Sequence, residues 1–177
     1  MQNEVIIAGS GGQGVLFGGI LLAQAAMEEG RETTWFPSYG AEMRGGTANS
    51  TVVISDKEIG SPIVIKFSSL IALNELSLNK FSVRLRRGGI LVVNSSLAAA
   101  APSLDGITVV TIPATGIADK ELKDVRVANV VAIGAYLKKS GILSLESARK
   151  ACEKLLCDKP KLIPLNQKAL ELGYNNQ

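Results

Sequence analysis

The hydrophobic positions of the chain alternate between short continuous runs and stretches with helical spacing. An apolar run at residues 5–8 leads into a glycine-rich segment, and residues 15–29 then show the spacing of an amphipathic helix. Gly30 follows as a stop signal, and residues 33–36 form the next strand-like run. A strand, a loop, a helix and a strand in this order favour a parallel sheet.

The same alternation continues to the end of the chain. It predicts strands at 50–55, 90–93 and 107–112, short apolar runs at 63–65 and 70–73, a featureless connection at 98–101, and helices at 77–86, 124–140, 145–156 and 164–172. The last helix can pack on its own domain or on a partner chain. No repeat and no interdomain linker is evident, so we expect one domain over residues 1–177. The expected fold is α/β, with three α/β/α layers and a mostly parallel, Rossmann-like sheet that can be mixed at one edge.

Small and polar residues collect after several of the predicted strands. In an open parallel sheet such strand ends lie along one rim, where ligands bind. The residues concerned are those at 9–14, 37–39, 74–75, 94–95 and 113–115. We therefore expect the functional site at this rim.

Composition and charge argue against several classes of protein. Apolar residues make up 46% of the chain and are mostly aliphatic, which suits strands covered by helices on both faces. The net charge of +3 comes from 19 basic and 16 acidic residues without a long basic run, so nucleic-acid binding has little support. No apolar run reaches the ~18 residues of a membrane-spanning helix, and no signal peptide is evident, so we expect a soluble cytoplasmic protein.

The inventory of chemically reactive residues is short. The chain contains no histidine, the commonest general base and a frequent metal ligand. Its two cysteines, Cys152 and Cys157, are too few to supply the full set of thiolate ligands that an iron–sulfur cluster needs. We expect free thiols in a reducing compartment, with neither a catalytic residue nor a metal site on this chain.

A glycine motif follows the first predicted strand. Gly9, Gly11 and Gly14 have the spacing G-x-G-x-x-G and open a predicted helix, a context that lets backbone N–H groups approach an anion. A dinucleotide-binding fold also places an acidic residue at the end of the second strand, whereas residues 35–38 contain no carboxylate. NAD is therefore the minority interpretation. Phosphate binding and a purely structural tight turn stay about equally supported.

A second segment, residues 38–49, combines chemically distinct side chains with three glycines. A phenol, a carboxylate, a guanidinium, a hydroxyl and an amide occur at Tyr39, Glu42, Arg44, Thr47 and Asn49. The entropy cost of three glycines is tolerable where the chain passes close to another group. A solvated loop with an incidental ion pair is the alternative interpretation.

The two segments in this order resemble the gamma subunit of 2-oxoacid:ferredoxin oxidoreductases. The resemblance continues through residues 71–74, the strand before Asn94, Ala128 and Asn129 at the start of a helix, and residues 166–174, and so spans essentially the whole chain. The form Ala-Glu-Met-Arg-Gly-Gly-Thr-Ala at 41–48 is most similar to the 2-oxoglutarate type, with pyruvate, branched-chain and indolepyruvate relatives left open. The glycine motif alone leaves a stand-alone Rossmann-like nucleotide-binding protein as a further alternative.

That resemblance implies a role within a heteromeric enzyme of central carbon metabolism. The holoenzyme oxidatively decarboxylates a 2-oxoacid, reduces ferredoxin and transfers the acyl group to coenzyme A. Thiamine diphosphate, Mg and 4Fe-4S clusters are implied on thiamine diphosphate-binding and ferredoxin-like partner subunits, so we expect the isolated chain to be inactive. The domain similar to this one is associated with coenzyme A. The binding residues that this implies are Gly9, Ser10, Gly11, Gly12, Gln13, Gly14, Tyr39, Glu42, Arg44, Gly45, Gly46, Thr47 and Asn49.

Overall fold

The computed structural model describes residues 2–38, 47–98 and 104–176. The strands are β1 Gln2–Gly9, β2 Glu32–Ser38, β3 Ala48–Ser55, β4 Phe67–Ala72, β5 Leu85–Asn94 and β6 Thr108–Ile112. The α-helices are α1 Val15–Glu28, α2 Glu75–Phe81, α3 Ala114–Leu122, α4 Ala128–Ser140, α5 Leu145–Leu155 and α6 Ile163–Asn175. Short 3₁₀ turns at Ser82–Arg84, Val125–Val127 and Pro160–Leu162 lead into β5, α4 and α6.

The strands form a sheet in the order β2-β3-β1-β4-β5-β6. β4 pairs parallel with β1 and β5, and β6 pairs parallel with β5. β3 runs antiparallel to both of its neighbours, β1 and β2. The prediction of a mostly parallel sheet that is mixed at one edge is confirmed. The reversed strand lies one place in from that edge, because β2 and β3 pair with each other directly instead of through a crossover helix.

Successive residues of β1 enter different parts of the core, because the side chains of a strand alternate between its two faces. Val5 and Ile7 pack in the larger apolar cluster with α1, α4, α5 and α6, whereas Ile6 and Ala8 pack in the smaller cluster with α2. All four are at most 1% exposed. Burial on both faces explains the continuous apolar run in the sequence, and it confirms the three α/β/α layers.

The C-terminal helix α6 packs on α4 at very short range. A Cβ atom on Gly134 would lie 2.9 Å from the backbone nitrogen of Tyr174 and 3.1 Å from Cα of Gly173. A Cβ atom on Gly173 would overlap the carbonyl oxygen of Val131. Of the two packing partners that the sequence left open for this helix, the structure shows its own domain.

The predicted helix at 77–86 is shorter in the structure, and the strand after it is longer. α2 ends at Phe81, and β5 begins at Leu85 because this residue pairs with Phe67 at the start of β4. The predicted helix end was therefore wrong. Pairing with a neighbouring strand determined the local structure there, against a pattern that suited a helix equally well.

One further helix is absent from the prediction. Helix α3 was missed because its buried positions are the small residues Ala114 and Ala118, which give little apolar contrast with their neighbours. The apolar run at 63–65 lies outside the sheet, with Ile63 and Ile65 exposed. None of the described helices combines the length and the apolarity that crossing a membrane requires.

Candidate functional site

The carboxyl ends of β1, β4 and β5 lie side by side at the same end of the sheet, because these strands are parallel. From β1 the chain passes through α1 to β2 on one side, while β4 lies on the other side. Such a change of direction opens a crevice between neighbouring strand ends, the usual ligand site of open α/β sheets. The glycine loop, residues 9–14, lies at this crevice.

Side-chain hydrogen bonds hold the glycine loop in one shape. The backbone N–H of Ser10 donates to Oε1 of Gln13 at 2.6 Å. Asn74, just beyond β4, donates from Nδ2 to Oγ of Ser10 at 2.8 Å and to Oε1 of Gln13 at 2.9 Å. Its own Oδ1 accepts from the N–H of Ser77 at 2.9 Å and so caps α2. The loop is therefore preorganised by contacts within the chain.

The glycine loop ends at the N-terminus of α1. Gly12 and Gly14 adopt φ values of +88° and +70°, a region that favours glycine. The first turn of α1 contains no acidic residue. No carboxylate of that turn therefore compensates the positive end of the helix dipole. This end of the dipole and the free N–H groups of the turn favour an anion at the crevice.

Asn129 joins the start of α4 to the glycine loop. Its Nδ2 donates to the carbonyl oxygen of Gly14 at 2.8 Å, and the residue is only 2% exposed. Its Oδ1 is buried and has no hydrogen-bond partner among the described residues. A buried acceptor without a donor is costly, so this amide oxygen is a candidate acceptor for water or for a ligand group.

Asn94 performs a similar role between β5 and α3. Its Nδ2 donates to the carbonyl oxygen of Leu73 at 3.1 Å and to Oγ1 of Thr115 at 2.9 Å. Its Oδ1 accepts from the N–H groups of Ser96 and Thr115, each at 3.3 Å. The residue is 1% exposed, so it ties three elements together beneath the crevice.

Clefts lie on each side of the glycine loop. One of about 200 Å³ is bounded by Gly12, Gln13 and Asn94. A second of about 200 Å³ lies beyond Asn129, between the start of α1 and α6. A third of about 270 Å³ is lined by loop residues and by Ala48 of β3. The loop is therefore accessible from several directions.

Arg126 lines the first two of these clefts. Its guanidinium is held by Asp124, with Nη2 donating to Oδ2 at 2.6 Å and Nε to Oδ1 at 2.8 Å. The hydrogen bond from Arg126 lowers the pKa of Asp124, and Asp124 raises the pKa of Arg126, so both groups stay charged. The Arg126 side chain is 78% exposed, so its guanidinium lies within reach of a ligand at the glycine loop while it stays paired with Asp124.

The structure brings together part of the predicted site. The loop residues 9–14 lie beside the amino end of β3, where Asn49 pairs with both Ala8 and Ser38. Thr47 is 9% exposed, and its hydroxyl has no partner among the described residues. The other predicted residues lie outside the described residues: Tyr39, Glu42, Arg44, Gly45 and Gly46.

Two members of the site were not predicted as binding residues. The sequence indicates Asn129 only as part of a resemblance and gives no indication of Arg126. Neither has a local sequence signal, because the fold brings them to the loop from more than a hundred positions away. In the described ranges, no three histidine, cysteine, aspartate or glutamate side chains are grouped in a way that could hold a metal ion.

Comparison with known proteins gives a consistent result. Residues 4–176 match the model of a family described as pyruvate ferredoxin/flavodoxin oxidoreductase. The chain is 42% identical over 174 residues to the ketoisovalerate oxidoreductase subunit VorA of Methanothermobacter thermautotrophicus, covering 97% of this chain but 36% of that relative. It is 38% identical over 154 residues to the 2-oxoglutarate synthase subunit KorC of Methanocaldococcus jannaschii, covering 85% of this chain and 82% of the relative. The chain thus spans about a third of the first relative and most of the second.

Solved structures show the same fold. The gamma subunit of a keto/oxoacid ferredoxin oxidoreductase from Geobacter sulfurreducens superposes with a TM-score of 0.83 at 33% identity, covering 97% of this chain and 96% of that one. The 2-oxoglutarate:ferredoxin oxidoreductase of Magnetococcus marinus, solved with 2-oxoglutarate, coenzyme A and succinyl-CoA, gives a TM-score of 0.84 over 97% of this chain and 30% of that one. At 24% identity the second likeness shows the fold alone. The resemblance to gamma subunits that the sequence motifs indicated is confirmed.

Proposed function

The chain belongs to the pyruvate ferredoxin/flavodoxin oxidoreductase family, and we propose on that premise that it is the gamma subunit of a 2-oxoacid:ferredoxin oxidoreductase. The complex would oxidatively decarboxylate a 2-oxoacid to an acyl-CoA and reduce ferredoxin. Thiamine diphosphate, Mg and 4Fe-4S clusters would belong to its partner subunits. The absence of histidine and the presence of only two cysteines among the 177 residues support that division.

Within the complex, we propose that this chain acts as one domain that binds coenzyme A at the glycine loop. The observation that carries this proposal is the preorganised loop at the N-terminus of α1, which has no acid in its first turn and has Arg126 beside it. Backbone N–H groups of the loop would bind a phosphate, and the Arg126 guanidinium would add a charged donor. Thr47 and Asn49 at the adjacent strand would face the ligand or a neighbouring subunit. The same role is proposed for Tyr39, Glu42, Arg44, Gly45 and Gly46.

Calorimetry with coenzyme A tests the site directly. We expect coenzyme A to bind the isolated chain, and the substitution Arg126→Gln to weaken binding by about tenfold through loss of one charge-assisted contact. Arg149→Gln is the matched control, because Arg149 pairs with Glu171 elsewhere on the surface and should leave binding unchanged. Equal affinity of wild type and Arg126→Gln would contradict the proposed phosphate contact.

Activity measurements test the role of the chain in the complex. We expect no oxidation of any 2-oxoacid by the isolated chain, and ferredoxin reduction once its partner subunits are added. Tight binding of NAD or NADP without coenzyme A binding would instead favour a stand-alone nucleotide-binding protein. Turnover by the isolated chain would exclude the subunit assignment.

We propose two candidate 2-oxoacid substrates for the complex. The 41–48 motif favours 2-oxoglutarate, the acid for which KorC is named. The higher identity to VorA, 42% against 38%, favours ketoisovalerate as the second candidate. Rates of coenzyme A-dependent ferredoxin reduction by the reconstituted complex with each acid decide between them.

A further inference from the structure

A loop at the opposite end of the strands from the glycine loop exposes two large apolar side chains. β3 runs away from the crevice and β4 runs back toward it, so residues 56–66 connect them at the end of the sheet that is remote from the crevice. Ile63 and Ile65 in this connection are 74% and 78% exposed. Val64 between them packs against the smaller core cluster. Neighbouring exposed apolar side chains are typical of protein contact sites.

Arg84 holds this loop in place. Its Nη2 donates to the carbonyl oxygen of Val64 at 2.6 Å, and its Nε donates to that of Ile65 at 2.8 Å. Its guanidinium also lies 5.5 Å from the ring centroid of Phe67, a cation–π distance. The backbone that carries the exposed isoleucines is thus fixed by the domain itself, and a preorganised surface loses little entropy when it binds a partner.

The charged groups that line the cleft beside the two isoleucines are two basic residues and one carboxylate. Lys66 and Arg86 line a cleft of about 510 Å³ together with Ile63 and Ile65. The carboxylate in the same cleft, Glu4, has a side chain only 6% exposed and pairs with Arg86 at 3.0 Å. The Glu4–Arg86 pair is neutral overall, so the exposed Lys66 gives the cleft its net positive charge, and a surface of this kind attracts an acidic partner.

We infer that this basic–apolar face, formed by Ile63, Ile65, Lys66, Arg84 and Arg86, docks a partner subunit that presents an apolar centre surrounded by carboxylates. The inference rests on the proposed function, which supplies the partner subunits. Burial of the isoleucines provides affinity, and the charge complementarity provides orientation and selects the acidic surface. Because the face lies at the opposite end of the strands from the glycine loop, docking there leaves the loop open to its ligand.

Binding of the purified chain to its purified partner subunits tests the inference by surface plasmon resonance. The double substitution I63S/I65S is expected to weaken binding by about 100-fold through loss of apolar burial. Lys66→Glu is expected to weaken it by about tenfold at low salt, with a smaller effect as the salt concentration rises. Met27→Ser is the matched control, because Met27 is 59% exposed on α1, which covers the other face of the sheet.

Each outcome bears on the inference. Wild-type affinity in either I63S/I65S or Lys66→Glu overturns it while leaving the proposed function intact. Self-association of the chain alone that is lost in I63S/I65S would identify a second copy as the occupant and also overturn it. Failure of the wild-type chain to bind any partner subunit contradicts the proposed function, and this inference with it. Unchanged melting temperatures of all variants serve as the folding control.

Discussion

Asn129 donates a hydrogen bond to the carbonyl oxygen of Gly14 at 2.8 Å, although the two residues are 115 positions apart. Through this bond the start of α4 is attached to the start of α1, beside the proposed anion site. A Cβ atom on Gly14 would lie 2.6 Å from Nδ2 of Asn129, so the contact depends on the absence of a side chain at position 14.

The substitution Gly14→Ala should therefore destabilise the chain and weaken coenzyme A binding. The positive φ and the steric overlap together should lower the free energy of unfolding by about 3 kcal/mol, measured by urea denaturation. Gly30→Ala is the control, because Gly30 has φ +68° but no atom within 4 Å of its added Cβ. It should cost about 1 kcal/mol from backbone strain alone. Equal losses in the two variants would show that the contact with Asn129 is unimportant.

The contact between α4 and α6 leads to a larger predicted effect. Gly173→Ala should lower the free energy of unfolding by about 3 kcal/mol or more, because the added methyl group would overlap the backbone of Val131. Gly116→Ala in α3 should be neutral or slightly stabilising, since the nearest atom to its added Cβ is at 3.5 Å and alanine favours a helix. Thermal unfolding followed by circular dichroism compares them, and wild-type stability of Gly173→Ala would refute close packing of these helices.

Glu29 should contribute a pH-dependent part of the stability. Burial raises its pKa, but hydrogen bonds from Ser144 and Ser147 and the charge of Arg31 outweigh it, so the pKa lies below its ordinary value of 4.5. Because the folded-state pKa is lowered, the stabilisation is present above the unfolded-state pKa and is lost as the pH falls through the folded-state pKa. Glu29→Gln should cost about 1 kcal/mol near neutral pH, and this difference should shrink in acid.

Urea denaturation from neutral pH down to about pH 3 measures this difference. Glu32→Gln is the control for loss of one carboxyl group, since Glu32 is exposed on β2. A difference between wild type and Glu29→Gln that stays constant over the whole range would contradict the proposed linkage.

The two cysteines should differ in reactivity. Burial first, and the charge of Glu153 second, raise the pKa of Cys152 to about 12, whereas Cys157 is exposed just beyond α5. Because the thiolate is the reactive form, a disulfide reagent should titrate one thiol in the native chain and both after unfolding. The variant Cys157→Ser should show no rapidly reacting thiol. Rapid reaction of both thiols in the native chain would contradict the buried position of Cys152.

Sequence patterns predicted those features that depend on neighbours along the chain. The run at 5–8 is continuously apolar because β1 is covered on both faces, and the glycine spacing reports directly on the turn between β1 and α1. The order of strands and helices then indicated the layers. The resemblance to gamma subunits could also be recognised from the sequence, because its motifs are contiguous segments of the chain.

The tertiary structure decided what depends on distant segments. Leu85 became part of a strand because Phe67 pairs with it, and α6 packs on α4 through backbone contacts that no apolar pattern records. Asn129 and Arg126 joined the glycine loop only because the fold brings α4 and the turn before it to the crevice. A periodic pattern describes the faces of one element, whereas a binding site is made by several elements that meet, so the sequence alone indicated the loop but not the residues around it.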